Sequence, residues 1–207
     1  MYKAVDSLLN TKAIDDPKKR EKYLGISMDE LNRMNGKIDM ILTLSMEEEG
    51  MFKLNLSDFN LVDLIEELKE RFLGVASKPI NIRVDNLLNK PFITADRDHL
   101  YQCISNLIEN AIKYSEERVD IIMNLTEENG SVLIAVQDNG SGIKEEDFGK
   151  IFEKFARVNT DKKTHGFGIG LSYVKQIIEK HGGRISVKSE PGKGSEFILQ
   201  IPKIQTC

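Results

Sequence analysis

The stretch SNLIENAIKYS, residues 105–115, combines an apolar side and a polar side in one predicted helix. Asn106, Asn110 and Lys113 follow each other at i, i+4 and i+7, which places them on the same face. The opposite face is apolar and suited to packing on a sheet. It consists of Leu100, Cys103, Ile104, Leu107, Ile108 and Ala111. The polar face is either a solvated surface or a ligand site, and the rest of the chain decides between them.

Length, composition and charge describe an ordinary water-soluble chain. It has 207 residues, of which 40% are hydrophobic and 30% charged, with a formal net charge of −4. A nucleic-acid binder usually carries a basic surplus, so we expect no nucleic-acid partner. The two cysteines, Cys103 and Cys207, indicate neither a disulfide framework nor a metal site. No apolar run is long enough to span a membrane, so we expect no membrane contact by this chain and a cytoplasmic location.

Residues 1–50 have a helical pattern. Residues 2–10 form a short predicted helix, and Asp16 followed by Pro17 predicts the start of a long one that ends near Glu49. Apolar residues recur along the long helix at close to heptad spacing. They are Leu24, Met28, Leu31, Met34 or Asn35, Ile38, and Ile41 or Leu42. Such a seam predicts a bundle made with a second chain, and a helix lying on its own domain is the alternative.

Residues 51–207 mix strand and helix patterns. Helices are predicted over 61–76 and 97–114 and at IGLSYVKQIIEKHGG, where the Gly182-Gly183 pair closes the helix. Strands are predicted at INIRVDN, PFITAD and RISVKSEPGKGSEFILQIP, the last broken by a turn. The pair Asn129-Gly130 predicts a hairpin within VDIIMNLTEENGSVLIAVQDNG. We therefore predict an α+β domain, with helices on one face of a mixed sheet, preceded by a helical hairpin.

Two glycine clusters adjoin predicted elements, the first at the end of a strand and the second at the start of a helix. In VQDNGSGI, Asp138 ends a strand, and Gly140 and Gly142 let the backbone come close to a ligand. An aspartate there can accept a hydrogen bond from an exocyclic amine and so select adenine, although Asp-Asn-Gly is also a common turn. In HGFGIGLS, three alternating glycines precede a helix that runs from Leu171 onward. They are Gly166, Gly168 and Gly170, and they predict an anion site at the helix start, with a plain linker as the alternative.

The segment FGKIFEKFARVNTDKKTH lies between the glycine clusters and is predicted to be a lid. Phe152 and Phe155 are spaced to anchor one side of it. Its cations, within reach of phosphates, are Lys154, Arg157, Lys162 and Lys163. Amide oxygens such as those on the polar face of residues 105–115 suit Mg²⁺, which also takes water and phosphate oxygens. The helix face, the two glycine loops and the lid therefore predict an ATP–Mg²⁺ site.

Five ordered stretches resemble the N, G1, F, G2 and final glycine boxes of bacterial sensor histidine kinases. They are SNLIENAIKYS, DNGSGI, IFEKFARV, GFGIGLS and GGRISVKSEPGKGSEF, and the likeness covers about residues 55–202. These kinases belong to the superfamily of gyrase, Hsp90, histidine kinase and MutL ATPases. The resemblance implies a Bergerat-type α/β sandwich that binds ATP and Mg²⁺.

The resemblance also implies roles for individual residues. Asn110 would be the main metal ligand with Asn106 assisting, Lys113 and Arg157 would face the phosphates, Tyr114 would lie beside the base, and Asp138 would bind the adenine amine. We expect the nucleotide-binding loops to include Gly140, Gly142, Gly166, Gly168, Gly170 and Leu171.

Residues 1–50 resemble the dimerisation and phosphotransfer hairpin of the same kinases. Its phosphoacceptor box, His-Glu-x-Lys/Arg-Thr-Pro, is absent, and His99, His165 and His181 have a different context, so we expect structural or solvent roles for them. The expected acceptor histidine lies upstream, which would leave this chain alone incompetent for autophosphorylation. Truncation is the favoured explanation, and a naturally degenerate kinase is the alternative. The implied partners are a second copy of the chain and the receiver domain of a response regulator, in the cytoplasmic part of a membrane-anchored sensor.

Two other functions remain open. The first is an ATPase of the same superfamily, for which the resemblance would place a glutamate where this chain has Asn106. An amide cannot take a proton from water, which disfavours hydrolysis. The second is a non-catalytic module that binds nucleotide or a partner helix.

Overall fold

The computed structural model describes residues 16–75, 78–156 and 168–203. The described helices are α1 (Pro17–Glu48), α2 (Leu61–Val75), α3 (Arg97–Tyr114) and α4 (Gly170–Lys180). The described strands are β1 (Ser57–Asn60), β2 (Ile80–Asn86), β3 (Phe92–Ala95), β4 (Val119–Glu128), β5 (Ser131–Asp138), β6 (Arg184–Glu190) and β7 (Gly194–Pro202). The chain divides into two units, Met1–Phe52 and Lys53–Cys207.

Helix α1 of the first unit begins where the Asp-Pro pair predicts. The Asp16 carboxylate accepts the backbone N–H groups of Lys18 at 3.0 Å and Lys19 at 3.3 Å, two donors that a first turn leaves free. Seven of the predicted seam residues are 41–57% exposed. They are Leu24, Met28, Leu31, Met34, Ile38, Ile41 and Leu42. The short helix predicted over residues 2–10 lies outside the described residues.

Five described strands of the second unit form one mixed sheet in the order β2-β4-β5-β7-β6. Strand β2 is parallel to β4, and the other neighbouring pairs are antiparallel. Burial alternates along β4, where Val119, Ile121, Met123 and Leu125 are buried and the residues between them are partly exposed. This period of two is that of a sheet with one face on a core. Strands β1 and β3 pair separately as a two-stranded antiparallel ladder.

The apolar face of α3 forms the centre of this core. Every residue of the predicted stripe, from Leu100 to Ala111, is 1% exposed or less. Full burial of such side chains stabilises a fold by about 1.5–3 kcal/mol each. The prediction of a mixed sheet with helices on one face is confirmed.

Turn residues also lie where the sequence predicts them. Asn129 and Gly130 have φ angles of 50° and 75°, as a two-residue hairpin turn of type I′ requires. Helix α4 is closed by Gly182, with φ +73°, and by backbone hydrogen bonds from Gly182 and Gly183 to the last turn. Two short 3-10 turns follow the loop after Asp138. The first, Glu145–Asp147, precedes the predicted lid, and the second, Lys150–Phe152, lies in the described part of the lid. Among the described helices, none has the length and apolar character needed to cross a bilayer.

Candidate nucleotide-binding site

Asp138 is held at the end of β5 by backbone donors from two separate segments. Its Oδ1 accepts the N–H of Gly140 at 2.7 Å and the N–H of Ser195 at 3.3 Å. Burial raises the pKa of this carboxyl, and the two N–H groups oppose that rise. Within the described residues, Oδ2 accepts no hydrogen bond. One carboxylate oxygen is therefore fixed to the backbone while the other remains an acceptor for a ligand.

Glycines allow the backbone to close tightly around this carboxylate. A Cβ on Gly140 would lie 2.8 Å from Asp138 Oδ1, and a Cβ on Gly194 would lie 1.9 Å from the Asp138 carbonyl oxygen. Gly194 also has φ +94°, which a side chain strongly disfavours. Both positions therefore require glycine for the observed geometry.

Gly142 is also closely packed, in its case against the end of β6. Its φ is +69°, and a Cβ there would lie 2.0 Å from the carbonyl oxygen of Glu190. The N–H of Gly192 donates to the Ser141 carbonyl at 2.8 Å. The loop after Asp138 is thus seated on the turn between β6 and β7.

The last turn of α3 meets the loop after Asp138. The Tyr114 carbonyl accepts the N–H of Ser141 at 3.0 Å. The Lys113 ammonium donates to the Tyr114 hydroxyl at 3.0 Å and lies 4.6 Å from the centroid of its ring. The tertiary structure therefore brings Lys113 and Tyr114 to the same end of the sheet as Asp138.

The two asparagines of α3 differ in environment although they share a helix face. Asn106 is 7% exposed, and its Nδ2 donates to the Gln102 carbonyl at 3.0 Å. A Cβ on Gly170, the first residue of α4, would lie 3.1 Å from Asn106 Oδ1. Asn110, one turn further, is half-buried. Asn110 is thus the more accessible amide, and Asn106 lies against the start of α4.

The second glycine cluster leads directly into α4. Gly168 has φ +69°, and a Cβ there would lie 2.7 Å from the Ala156 carbonyl oxygen. Helix α4 begins at Gly170, the side chain of its N-cap residue Ile169 makes no capping hydrogen bond, and Leu171 is half-buried in the first turn. The first N–H groups of a helix have no partner within it and attract anions. The start of α4 can therefore take a phosphate.

The predicted lid is described only in part. Phe152 is half-buried, whereas Phe155 is 73% exposed with φ +63°. The expectation that both phenylalanines anchor the lid is therefore wrong for Phe155. The N–H of Phe155 donates to the Gly168 carbonyl at 2.9 Å. Lys154 is half-buried. The other predicted lid residues that the sequence singled out, Arg157, Lys162, Lys163 and His165, lie outside the described residues, as does Gly166 of the second glycine cluster.

The two described histidines lie in the packing between helices. His99 Nδ1 is 2.7 Å from the Tyr173 hydroxyl oxygen. His181 is 1% exposed, its Nδ1 donates to the Ile177 carbonyl at 2.7 Å, and its Nε2 accepts the N–H of Asp96 at 3.0 Å. This arrangement requires the neutral ring, and burial lowers the pKa of His181. His181 therefore has a structural role.

Several residues that support Asp138 were not among the predicted site residues. Ser195 donates to its carboxylate, Ser189 Oγ accepts the N–H of Ile143 at 2.8 Å, and Asn139 joins the loop to β4. Asn139 Oδ1 accepts the N–H of Asp120 at 2.9 Å. The glycine-rich turn before β7 was visible in the sequence, but its contact with Asp138 depends on the pairing of β5 with β7.

A cavity of about 330 Å³ opens on the outer side of this loop. It is lined by Glu116, Glu117, Arg118, Asn139, Gly140, Ser141 and Gly192. Of the predicted site residues, only Gly140 is in its lining.

Comparison with known proteins assigns this geometry to a family. The family described as histidine kinase-, DNA gyrase B- and HSP90-like ATPase matches residues 95–205. The chain is 36% identical over 198 residues to the alginate biosynthesis sensor protein KinB of Pseudomonas aeruginosa, covering 95% of this chain and 33% of that protein. It thus spans about a third of the length of this curated relative.

Solved structures agree with the sequence match. The catalytic domain of histidine kinase ThkA is 31% identical, with a TM-score of 0.64 over 72% of this chain and 97% of that domain. A structure of ThkA in complex with the response regulator protein TrrA is 28% identical, with a TM-score of 0.64 over 92% of this chain and 53% of that chain. The chain belongs to the histidine kinase-, DNA gyrase B- and HSP90-like ATPase family, and it contains the ATP-binding catalytic domain of a sensor histidine kinase.

Proposed function

We propose that this chain is the kinase core of a two-component sensor, which transfers the γ-phosphoryl group of ATP to a histidine outside the chain for relay to a response regulator. The observation that carries the proposal is the fixed carboxylate of Asp138. Its Oδ1 is held by Gly140 and Ser195, which leaves Oδ2 to accept the exocyclic amine of adenine. Guanine presents a carbonyl at the corresponding position, so the same carboxylate rejects it.

The residues near Asp138 suit the rest of the nucleotide. The Tyr114 ring would lie beside the base, and the Lys113 ammonium would turn from the Tyr114 hydroxyl towards the phosphates. Gly140 and Gly142 let the loop after Asp138 pack closely on the protein, since a Cβ there would meet Asp138 Oδ1 and the Glu190 carbonyl oxygen. The first N–H groups of α4, near Gly170, would receive phosphate oxygens. Arg157 and the other lid cations would complete the phosphate contacts.

Asn110 would hold Mg²⁺ with Asn106 assisting. Within the described ranges, no group of three His, Cys, Asp or Glu residues could hold a metal ion. Mg²⁺ accepts amide, water and phosphate oxygens as ligands, and these would form its ligand set here. When bound, Mg²⁺ neutralises charge on the transferred phosphoryl group. The chain's own part is to align the phosphates and exclude water, because the imidazole of the acceptor is itself the nucleophile.

Hydrolysis of ATP as the main reaction is the weaker alternative. It needs a base that orients water, and the position at which a glutamate would serve is Asn106. Asn106 is 7% exposed and donates to a backbone carbonyl, so it suits a positioning role. Rapid steady-state phosphate release by the isolated chain would favour the ATPase.

The proposed partners follow from the relatives and from α1. ThkA was solved with a response regulator, which supports a receiver domain as the partner that takes the phosphoryl group. The exposed apolar seam of α1 supports a homodimeric helical bundle through the proposed domain of residues 1–50, with the ATP-binding domain over 51–207. We place both parts in the cytoplasm.

The decisive experiment joins a phosphoacceptor box to this chain. A chain extended upstream through His-Glu-x-Lys/Arg-Thr-Pro should acquire an acid-labile phosphohistidine from γ-labelled ATP. The same chain carrying Asp138→Asn should lose most of that label at limiting ATP. ATP binding without any phosphohistidine in the extended chain would instead support a non-catalytic nucleotide-binding module.

A further inference from the structure

We infer that Lys78 is a positioning residue for the nucleotide site, acting through the last turn of α3. This inference rests on the proposed nucleotide binding and adds a residue that lies before β2. The Lys78 ammonium donates to the Ser115 carbonyl at 2.7 Å and to the Ile112 carbonyl at 3.3 Å. Its side chain is half-buried against the helix end.

The end of a helix presents carbonyl groups that lack intrahelical donors. In α3 the Ala111 carbonyl is bonded by the N–H of Ser115 at 3.1 Å and by its hydroxyl at 2.7 Å. The Tyr114 carbonyl is bonded by the N–H of Ser141. Lys78 supplies the donor for the Ile112 carbonyl and for the Ser115 carbonyl just beyond the helix.

Lys78 is also the cation that suits the negative end of the helix dipole. Lys113 lies in the same turn, but its ammonium is turned to the Tyr114 hydroxyl and ring. A hydrogen bond from a charged donor to a carbonyl is about twice as strong as one between neutral groups. Lys78 is therefore well placed to hold the last turn of α3 in its helical form.

The turn that Lys78 holds carries two of the proposed nucleotide contacts and supports a third. Lys113 and Tyr114 belong to it directly. Its backbone also fixes the loop after Asp138, because the Tyr114 carbonyl accepts the N–H of Ser141. Loosening the turn would therefore misplace the contacts to the base and to the phosphates together.

The test compares nucleotide affinity in Lys78→Met, Lys78→Arg and a matched control. Lys78→Met keeps the aliphatic stem and removes the charge and the donors. Calorimetric titration with the magnesium complex of a non-hydrolysable ATP analogue should show a dissociation constant raised about tenfold. Lys78→Arg restores a cation with several donors and should recover most of the affinity. The control Lys69→Met removes a partly buried ammonium that pairs with Glu66 on α2, and it should leave the affinity within about twofold.

A second readout separates positioning from general loss of stability. Backbone amide exchange followed by NMR should quicken at Ser115 and Ser141 in Lys78→Met while β5 amides such as that of Ile134 keep their protection. An unchanged affinity in Lys78→Met, or an equal loss in Lys69→Met, would overturn the inference. If Lys78→Met does not fold, the nucleotide affinity and amide exchange of Lys78→Gln are measured instead. An unchanged affinity in Lys78→Gln, or an equal loss in Lys69→Met, would then overturn the inference. Absence of nucleotide binding by the unsubstituted chain would instead count against the proposed function.

Discussion

The carbonyl of Tyr114 accepts the N–H of Ser141 at 3.0 Å and so joins the end of α3 to the loop that follows Asp138. The helix brings the proposed base-stacking and phosphate-binding side chains, and the loop brings the adenine-selecting carboxylate. Because one backbone hydrogen bond links the two segments, the proposed contacts to adenine and to phosphate are expected to respond together to changes at this junction.

Substitution of Asp138 by asparagine should remove adenine selectivity. The amide has one oxygen, and if that oxygen keeps the Gly140 and Ser195 N–H groups, an NH₂ group faces the base. We expect ATP affinity to fall by about 1–3 kcal/mol and the preference for ATP over GTP to shrink in parallel. Calorimetric titration with both nucleotides measures the two effects. Asp85→Asn, which breaks an exposed ion pair with Arg83, is the control, and selectivity lost equally there would contradict the assignment.

Asn110→Asp should alter the magnesium dependence of nucleotide binding and leave the fold intact. The added negative charge repels the phosphates of metal-free ATP, so binding without Mg²⁺ weakens, by an expected tenfold or about 1.4 kcal/mol. The affinity then depends more steeply on Mg²⁺ concentration. Titrations with and without a chelator test this, with Asn89→Asp, at an exposed position between β2 and β3, as the control. An unchanged magnesium dependence would remove Asn110 from the metal site.

Gly142→Ala should destabilise the domain more than Gly130→Ala, although the two glycines have nearly the same backbone angle. Their φ values are +69° and +75°, so both alanines carry the strain of a left-handed residue, about 1–2 kcal/mol. Only Gly142 lacks space, since its Cβ would lie 2.0 Å from the Glu190 carbonyl oxygen whereas nothing lies within 4 Å at Gly130. We expect an additional 1–3 kcal/mol, roughly, from overpacking at Gly142. Urea unfolding of the two variants measures the difference, and equal losses would show that the loop moves away freely.

The stability of the domain should fall on mild acidification because His181 is held neutral. Its pKa is lowered in the folded state, so the unfolded chain binds the proton more readily. The stabilising contribution is complete above the unfolded pKa of about 6.5 and is lost as the pH falls from there towards the folded value. We expect an effect on the order of 1 kcal/mol between pH 7.5 and 5.5 in urea unfolding. His181→Gln should flatten this slope, whereas His99→Gln, which keeps His181, should retain most of it.

The apolar seam of α1 should mediate self-association. Ile38 is 52% exposed and Leu31 is 41% exposed, and both lie at seam positions. If these residues pack in a bundle with a second chain, Ile38→Glu buries a charge in the interface and should convert a dimer to a monomer. Light scattering after size-exclusion chromatography measures the mass. Asp39→Lys changes the charge on the adjacent, exposed surface and should leave the dimer in place; a monomeric unsubstituted chain would contradict the proposal.

Local patterns in the sequence predicted helix α3, the start of helix α1 and the hairpin turn at Asn129-Gly130. Amphipathic spacing placed α3 at 97–114 and selected the residues of its buried face, because a helix repeats every 3.6 residues whatever it packs on. Asp16 before Pro17 marked the start of α1, and Asn129-Gly130 marked the hairpin, because each depends on capping or turn geometry within a few residues. The five ordered motifs likewise identified the family, since each is a short stretch whose spacing is visible without the fold.

Only the tertiary structure decided which segments meet. Asp138 and Ser195 are 57 residues apart, and their contact depends on the register of β5 on β7, which no local pattern encodes. The same holds for Lys78 at the end of α3, 37 residues from Ser115, and for the burial of Asn106 against Gly170. Periodicity specifies which face of an element is apolar, but the partner of each polar group is set by the packing of the whole domain. The proposed site is therefore a property of the assembled sheet and helices, and the sequence alone offered only the candidate residues for it.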